Sequence, residues 1–308
     1  MKPASPSISV ILPVYNAAAY VEIALASILG QSFSDFECIV INDGSTDGST
    51  EILDRIAASD NRVRLVHRSN QGYSRCLNQA LGMVRAPLLA RMDADDESLP
   101  HRFALQVAFL AAHPEVVAVS GQWIRIDPVG RVLSEEKYLP VEHDAIIDEL
   151  FKGFGVLPHP GVMMRADAVR QVGGYRVEFE PAEDLDLWLR LSDLGRLANL
   201  DEHIIRYRLH SGATSSARRE EQRESARRAV VEAYVRREQA APENFVPALS
   251  RTDNQAAVFA EWSRLAMASG HYRTAVIYAT KACLAGSTVS HRGLFCDIVR
   301  YYRAGRHH

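Results

Sequence analysis

The sequence predicts an α/β protein, a doubly wound and mostly parallel sheet followed by an all-helical C-terminal appendage. Three observations carry this. Short β-branched runs alternate with amphipathic stretches between residues 7 and 92. The runs are apolar throughout, as strands covered by helices on both faces must be. Beyond Ser211 no strand pattern remains, and the chain becomes charged and helical.

Ser7 to Tyr15 (SISVILPVY) reads as the first strand, and Ala17 to Leu29 as a helix with Ala18, Val21, Ala24, Leu25 and Ile28 at helical spacing. Phe36 to Asn42 is a second strand, followed by the turn Asp43-Gly44-Ser45 and a helix from Ser49 to Ala58. Arg62 to His67, Tyr73 to Val84 and Pro87 to Met92 continue as strand, helix and strand. The order then loosens. Phe103 to Ala112 is helical, Val116 to Ser120 extended, and Gln122 to Tyr138 a hairpin turning at Asp127-Pro128-Val129-Gly130. A helix over Val141–Phe151, a strand over Gly161–Arg165, a helix over Leu185–Leu194 and a strand over Ile204–Leu209 follow.

Ser215 to Glu238 reads as a charged helix, and Ala256 to Arg303 as two or three more. Within them Trp262 to Ala282 resembles one tetratricopeptide helix pair, with Gly270, Tyr272, Ala275, Tyr278 and Ala282 in the expected places. One such pair cannot bury its own face, which favours a helical appendage over a repeat array. The expected division is a catalytic domain over 1–212 and a helical region over 213–308.

With 308 residues the chain can bury a large core, and 47% hydrophobic with 24% charged residues suits a globular enzyme. A net charge of -3 gives no reason to expect nucleic acid as a partner. Cys38, Cys76, Cys283 and Cys296 form no close pair, so neither a zinc knuckle nor a disulfide framework is suggested. No apolar run approaches the roughly 18 residues of a membrane span, and Met1–Ser7 has no signal core, so a cytoplasmic location is expected. From Trp262 onward Arg264, Arg273, Lys281, Arg292, Arg300, Arg303 and Arg306 face only Asp297. That basic tail is either a solvated face or a peripheral contact with an anionic membrane or lipid-diphosphate acceptor.

Chemistry concentrates at Asp93-Ala94-Asp95-Asp96-Glu97, directly after the fourth strand. Carboxylates this crowded repel unless a cation lies among them, and an oxygen-only donor set suits Mg2+ or Mn2+. Tyr15-Asn16 and Asp43-Gly44-Ser45 fall at the ends of the first two strands, on the rim where open α/β sheets bind ligands. Asp43 alone is equally a turn residue, with Ser45, Thr46 or Asp47 capping the next helix. No GxGxxG follows the first strand and no GxxxxGK[ST] occurs, so any phosphates must be handled otherwise.

Ile8-Ser-Val-Ile-Leu-Pro-Val-Tyr-Asn16, Val40-Ile-Asn-Asp-Gly-Ser-Thr-Asp47, Asn70-Gln-Gly-Tyr-Ser-Arg-Cys-Leu-Asn78, Met92-Asp-Ala-Asp-Asp96, His159-Pro-Gly-Val-Met-Met-Arg165 and Glu183-Asp-Leu-Asp-Leu-Trp-Leu-Arg190 stand in this order. Together they resemble the inverting family 2 glycosyltransferases of the GT-A fold, over about the first 210 residues. The resemblance implies transfer of a sugar from a nucleotide diphosphate donor, a UDP-sugar by family frequency, to an acceptor hydroxyl with inversion. It implies that Pro13, Tyr15, Asn16 and Asp43 hold the nucleotide and that Asp93 meets the ribose or the metal shell. Asp95 would ligate Mn2+ or Mg2+. Arg75 is a phosphate contact or a solvated residue, and His210 a metal ligand or an ordinary histidine.

Asp184 is the expected base, although a carboxylate in a first helical turn also simply stabilises the macrodipole, which would lower its pKa. Asp96, His159 and Glu183 are expected contacts to acceptor or donor sugar, with Asp186 beside them as a contact or a structural partner. The acceptor is expected to be a saccharide or lipid-linked saccharide in polysaccharide, lipopolysaccharide or glycoconjugate synthesis. No QxxRW-type motif is present, which argues against a processive synthase. Two other readings are a catalytically idle GT-A domain serving as an interaction module and a nucleotidyltransferase. The latter lacks its Gly-rich, basic N-terminal loop at Pro13–Ala19.

Overall fold

The computed structural model describes residues 5–210, 218–243, 245–247 and 255–285. The packing divides into two compact units. One comprises Met1–Gln122, Tyr138–Ile205 and Arg218–Leu249; the other comprises Trp123–Lys137, Arg206–Ala217 and Ser250–His308.

In the first unit β1 (Ile8–Val14), β2 (Phe36–Asp43), β3 (Val63–Arg68) and β4 (Leu88–Arg91) alternate with α1 (Val21–Leu29), α2 (Ser49–Ser59) and α3 (Tyr73–Met83). β1 pairs in parallel with β2 and with β4, and β2 with β3. Every residue of β1 and β2 is buried, as the unbroken apolar runs require. The short β5 (Glu97–Ser98) and α4 (Arg102–Ala112) follow, then β6 (Val116–Ile126), β7 (Val132–Ser134) and α5 (His143–Phe151). A 3-10 turn over His159–Gly161 leads to β8 (Met163–Arg165), α6 (Ala166–Gln171), α7 (Glu183–Leu191) and β9 (Arg196–Arg208). The strand order is β3-β2-β1-β4-β8-β6-β9-β5, and β8 pairs antiparallel with both β4 and β6. The sheet is thus parallel where βα units repeat and antiparallel where they stop.

α8 (Arg219–Arg236) sits in this first unit. Its Ala226, Ala229, Val230 and Ala233 join Leu77 of α3, Leu150 of α5 and Trp188 of α7 in one core over Ile39 and Leu89. Packing therefore divides the chain elsewhere than at 212/213, because a narrow stripe of small apolar residues lies under the charged surface of that helix.

The second unit holds the hairpin of β6 and β7 together with α9 (Gln255–Ala268) and α10 (Tyr272–Leu284). These two helices are joined at Gly270, with φ +77°. Trp262 meets Tyr278 edge to face at 5.0 Å, and Leu133 of β7 completes their cluster. The hairpin turn is tied by Asp127, which accepts from Arg131 Nε at 2.6 Å and Tyr278 Oη at 2.9 Å. Among the described residues no helix is long and apolar enough to cross a membrane. The stretch Arg292–Arg306, on which membrane contact was expected, lies outside the described residues, as do residues 211–217.

Candidate active site

β4 ends at Arg91, and the chain leaves the sheet through Asp93–Asp96. Carboxylate oxygens of Asp93, Asp95 and Asp96 converge to within 4.8 Å of one another. Asp96 is buried, while Asp93 and Asp95 are partly exposed. One cation is built in. Arg91, 2% exposed, forks onto both oxygens of Asp93, with Nη1 2.7 Å from Oδ2 and Nη2 on Oδ1. The Tyr73 hydroxyl donates to the same Oδ1 at 3.0 Å, and its ring lies 5.4 Å from the guanidinium carbon. Burial opposes the charge on Arg91, but Asp93, Tyr175 and Asp96 together outweigh it and hold the pKa above its ordinary value. The three carboxylates, with Arg91 paired to Asp93 and the charge of Arg102 acting on Asp96, form an all-oxygen donor set, which fits Mg2+ or Mn2+.

The other rim residues are stitched together through the β1 and β2 loops. Pro13 is buried in β1, while Tyr15 just beyond it is 55% exposed. Asn16, at φ +49°, donates its N–H to Ser45 Oγ at 3.0 Å and accepts Thr46 N–H on Oδ1 at 2.8 Å. Asp47 accepts from Ala18 N–H at 2.9 Å and from Ser49 N–H at 3.1 Å, serving the turn before α1 and the first turn of α2. Asp43, at the end of β2, is 4% exposed and organises the next loop. Its oxygens accept from Arg68 Nε at 2.5 Å, Gln71 N–H at 3.0 Å and Gly72 N–H at 3.1 Å. Arg75 is exposed on α3, with Nη1 donating to Gln71 O at 3.3 Å.

α7 begins at Glu183, and the pair Glu183–Asp184 feels the charge of Arg91 without the direct ion pair that Asp93 makes with it. Glu183 is 7% exposed, and its Oε2 meets no hydrogen-bond partner among the described residues. Burial, and then the charge of Asp184, push its pKa up to about 8. Asp184 accepts the Leu185 N–H at 2.7 Å. That bond and the charge of Arg91 pull its pKa down, yet burial prevails and the pKa is raised. The expectation that the helix terminus would lower it fails, since desolvation exceeds one backbone hydrogen bond. Asp186 is structural: it takes Arg176 and Arg190, the latter through Nη2 at 2.6 Å.

His159 is 7% exposed, its Nε2 2.8 Å from Tyr175 Oη and its ring edge-on to Trp188 at 5.5 Å. Burial and the nearby Arg91 hold it well below the usual histidine pKa, so it is neutral. Tyr175 is itself fixed by Asn78, whose Oδ1 accepts its N–H at 2.9 Å and whose Nδ2 donates to its carbonyl at 2.7 Å. His210 belongs to the second unit, whereas the carboxylate cluster belongs to the first.

Several residues that position the site escaped the sequence reading. Arg91 reads in the sequence as part of the apolar run Pro87–Met92. Arg102, fully buried at the start of α4, donates to Pro160 O at 3.1 Å, Arg91 O at 2.8 Å and Val162 O at 3.0 Å, tying β4 to the His159 turn. Glu180 Oε2 accepts Ser74 N–H at 3.0 Å in the first turn of α3. A charged residue inside an apolar run was the available signal for Arg91.

The family profile "Glycosyl transferase family 2" matches residues 9–173. An uncharacterized glycosyltransferase of Haemophilus influenzae is 33% identical over 233 residues, covering 72% of each chain. The O-antigen biosynthesis glycosyltransferase WbnJ of Escherichia coli is 34% identical over 215 residues, covering 68% of this chain and 82% of that protein. Among solved structures, S. aureus TarS 1-349 in complex with UDP-GlcNAc superposes with a TM-score of 0.57 at 18% identity, over 97% of this chain and 92% of that one. The mannosyltransferase PcManGT from Pyrobaculum calidifontis, in complex with GDP-Man and Mn2+, gives 0.56 at 20% identity, over 96% and 87%. These likenesses bear out the GT-A fold, and with the family match and the relatives they lead to one conclusion: the chain belongs to glycosyl transferase family 2 and is a glycosyltransferase.

Proposed function

We propose that the chain moves a sugar from a nucleotide diphosphate donor, a UDP-sugar first, to a hydroxyl of a saccharide or lipid-linked saccharide, with inversion and with a divalent metal. The observation that carries this reading is the convergence of Asp93, Asp95 and Asp96 within 4.8 Å in a family 2 chain. The relative named for O-antigen biosynthesis supports polysaccharide or lipopolysaccharide synthesis as the setting. The complexes of structural neighbours with UDP-GlcNAc, and with GDP-Man and Mn2+, support a nucleotide sugar and a metal. A cytoplasmic setting, with peripheral membrane contact through the basic tail, belongs to the same proposal and is tested by salt-dependent sedimentation with anionic vesicles.

Asp95, with Asp93 and Asp96, would hold Mn2+ or Mg2+, which when bound supplies Lewis-acid neutralisation of the departing diphosphate. The chain's own residues orient the reactants. Pro13 and the exposed Tyr15 offer a rigid strand end and a ring to the base, while Asn16 and Asp43 fix the loops around the nucleotide. Arg75, exposed on α3, would reach a phosphate. Asp184 takes the proton of the acceptor hydroxyl as that oxygen attacks the anomeric carbon. The bond from this carbon to the diphosphate breaks on the opposite face, which inverts the centre. A raised pKa makes Asp184 a stronger base than an exposed carboxylate. Glu183, with its pKa at about 8, carries a proton at neutral pH and offers an O–H donor to a sugar hydroxyl.

Melting temperature measured against UDP, GDP, dTDP and CMP, each with Mn2+ and with EDTA, tests the donor site, because ligand binding stabilises the native state by mass action. A rise with one diphosphate that needs Mn2+ and disappears in Asp95→Ala is the expected result. No rise with any nucleotide would favour the idle-domain reading.

A further inference from the structure

Gly155 is a glycine without a conformational reason to be one. Its φ lies outside the left-handed region, and it is exposed. A Cβ built on it would meet only Asp184 Oδ2, at 4.0 Å, an ordinary van der Waals distance. Neither backbone strain nor steric conflict within the fold therefore excludes alanine. A side chain at 155 would instead occupy the space beside the carboxylate oxygen that has to receive an acceptor hydroxyl.

The preceding residues place this gap rigidly. α5 ends with Gly153 at φ +86°, its N–H donating to Leu150 O at 2.9 Å and the Phe154 N–H donating to Glu149 O at 3.0 Å. This is the Schellman pattern, in which the residue after the glycine commonly packs against the helix three or four positions from its end. Here those positions are Glu149 and Asp148, both acidic. Phe154 accordingly stays 40% exposed, next to Gly155. The Val156 N–H then donates to Phe154 O at 3.1 Å, and Val156 returns to the core. The two helix positions that usually receive such a ring thus offer it no apolar side chain. Sugar-binding sites use such rings against the apolar face of a pyranose, with a few polar groups setting orientation.

We infer that Phe154 and Gly155 form the acceptor-side wall of the site, Gly155 leaving room for the acceptor sugar over Asp184 and Phe154 supplying a stacking surface for it. The inference rests on the proposed role of Asp184, and the residue at 155 then sets how large an acceptor can approach.

Saturation-transfer NMR with methyl glycosides of glucose, galactose, mannose, rhamnose and the N-acetylhexosamines, recorded with UDP and Mn2+ present, tests it. The expected result is a signal from at least one glycoside in the wild type. Phe154→Ala should weaken it roughly tenfold, Phe154→Trp should restore it where Phe154→Leu does not, and Gly155→Val should abolish it. Gly155→Ala should leave the melting temperature unchanged or raised. Glycoside signals that are equal in all variants, or absent from the wild type, overturn the inference, as does loss of the UDP-dependent melting shift in Gly155→Val. The wild-type nucleotide shift keeps the two readings apart. If it is absent, the proposed function has failed; if it is present while the glycoside results go the other way, only the acceptor wall has.

Discussion

Asp93 and Glu183 are both acidic and both lie in the first unit, yet the fold treats them oppositely. Asp93 has a guanidinium across both oxygens and a phenol on one of them. Glu183 is buried with one oxygen unpartnered and a second carboxylate next to it in sequence. The first arrangement keeps a carboxylate ionised where, on the proposed function, a cation and a diphosphate would meet. The second favours a bound proton where, on the proposed function, a proton would be moved. Carboxylates thus stand in two electrostatic environments within one unit, and Arg91 acts on both, since its charge also draws down the pKa of Glu183 and Asp184.

The largest effect should come from separating these environments. Asp184→Asn removes the proton acceptor while keeping the shape, and should lower the transfer rate by about 10²–10⁴-fold. The Mn2+-dependent melting shift with nucleotide should survive. Asp95→Ala should lose both rate and shift. Steady-state kinetics alongside thermal shifts check the pair. Should Asp184→Asn also abolish the nucleotide shift, the two regions would be one electrostatic unit and the contrast would be wrong.

Arg91→Met comes next. It keeps much of the side-chain volume but leaves Asp93 without its counter-ion, and breaking a buried ion pair costs about 3–5 kcal/mol. With Asp93 28% exposed, a value at the low end is expected. Urea denaturation measures it, and Mn2+ should recover part of the loss by replacing the missing charge. A cost below about 1 kcal/mol, the range of surface pairs, would show that Arg91 is not the cation on which the rim depends.

Much of this was legible because it follows from strand ends. Asn16, Asp43 and Asp93–Asp96 stand directly after apolar runs, and a polar residue there has to face the rim. Arg102 was not legible, because its partners are backbone carbonyls of segments that only the folded chain brings near, whereas Arg91 pairs with Asp93 two residues on and hides its role in its burial. β9 was read from Ile204 only, although it starts at Arg196. Its first half carries Asn199, which looks like a loop residue and is fully buried, donating to Pro140 O at 2.7 Å and Val156 O at 2.9 Å. His159 was expected at a sugar, yet its Nε2 faces Tyr175 inside the core, a pairing that sequence spacing could not show. The raised pKa of Asp184 depends on burial, which no local motif encodes.

Glu183 offers the smallest and most diagnostic effect, through pH. Its ordinary pKa is 4.5, and in the folded protein it lies at about 8. Below the ordinary value both folded and unfolded chains are protonated, and the group imposes no penalty. As pH rises from there towards 8 the unfolded chain releases its proton while the folded chain keeps it, so stability falls across that window and the loss is complete above it. One pKa unit corresponds to about 1.36 kcal/mol, and because Asp184 titrates in the same pocket a total on the order of 2 kcal/mol is expected rather than the full shift. Glu183→Gln keeps the shape and cannot ionise. Its melting temperature should therefore fall less than that of the wild type between pH 5 and 8, with the two curves meeting near pH 4.5 and the variant higher at pH 8. Parallel curves over the whole range would mean that Glu183 is ionised in the folded protein, and the two acidic regions would then differ in position alone.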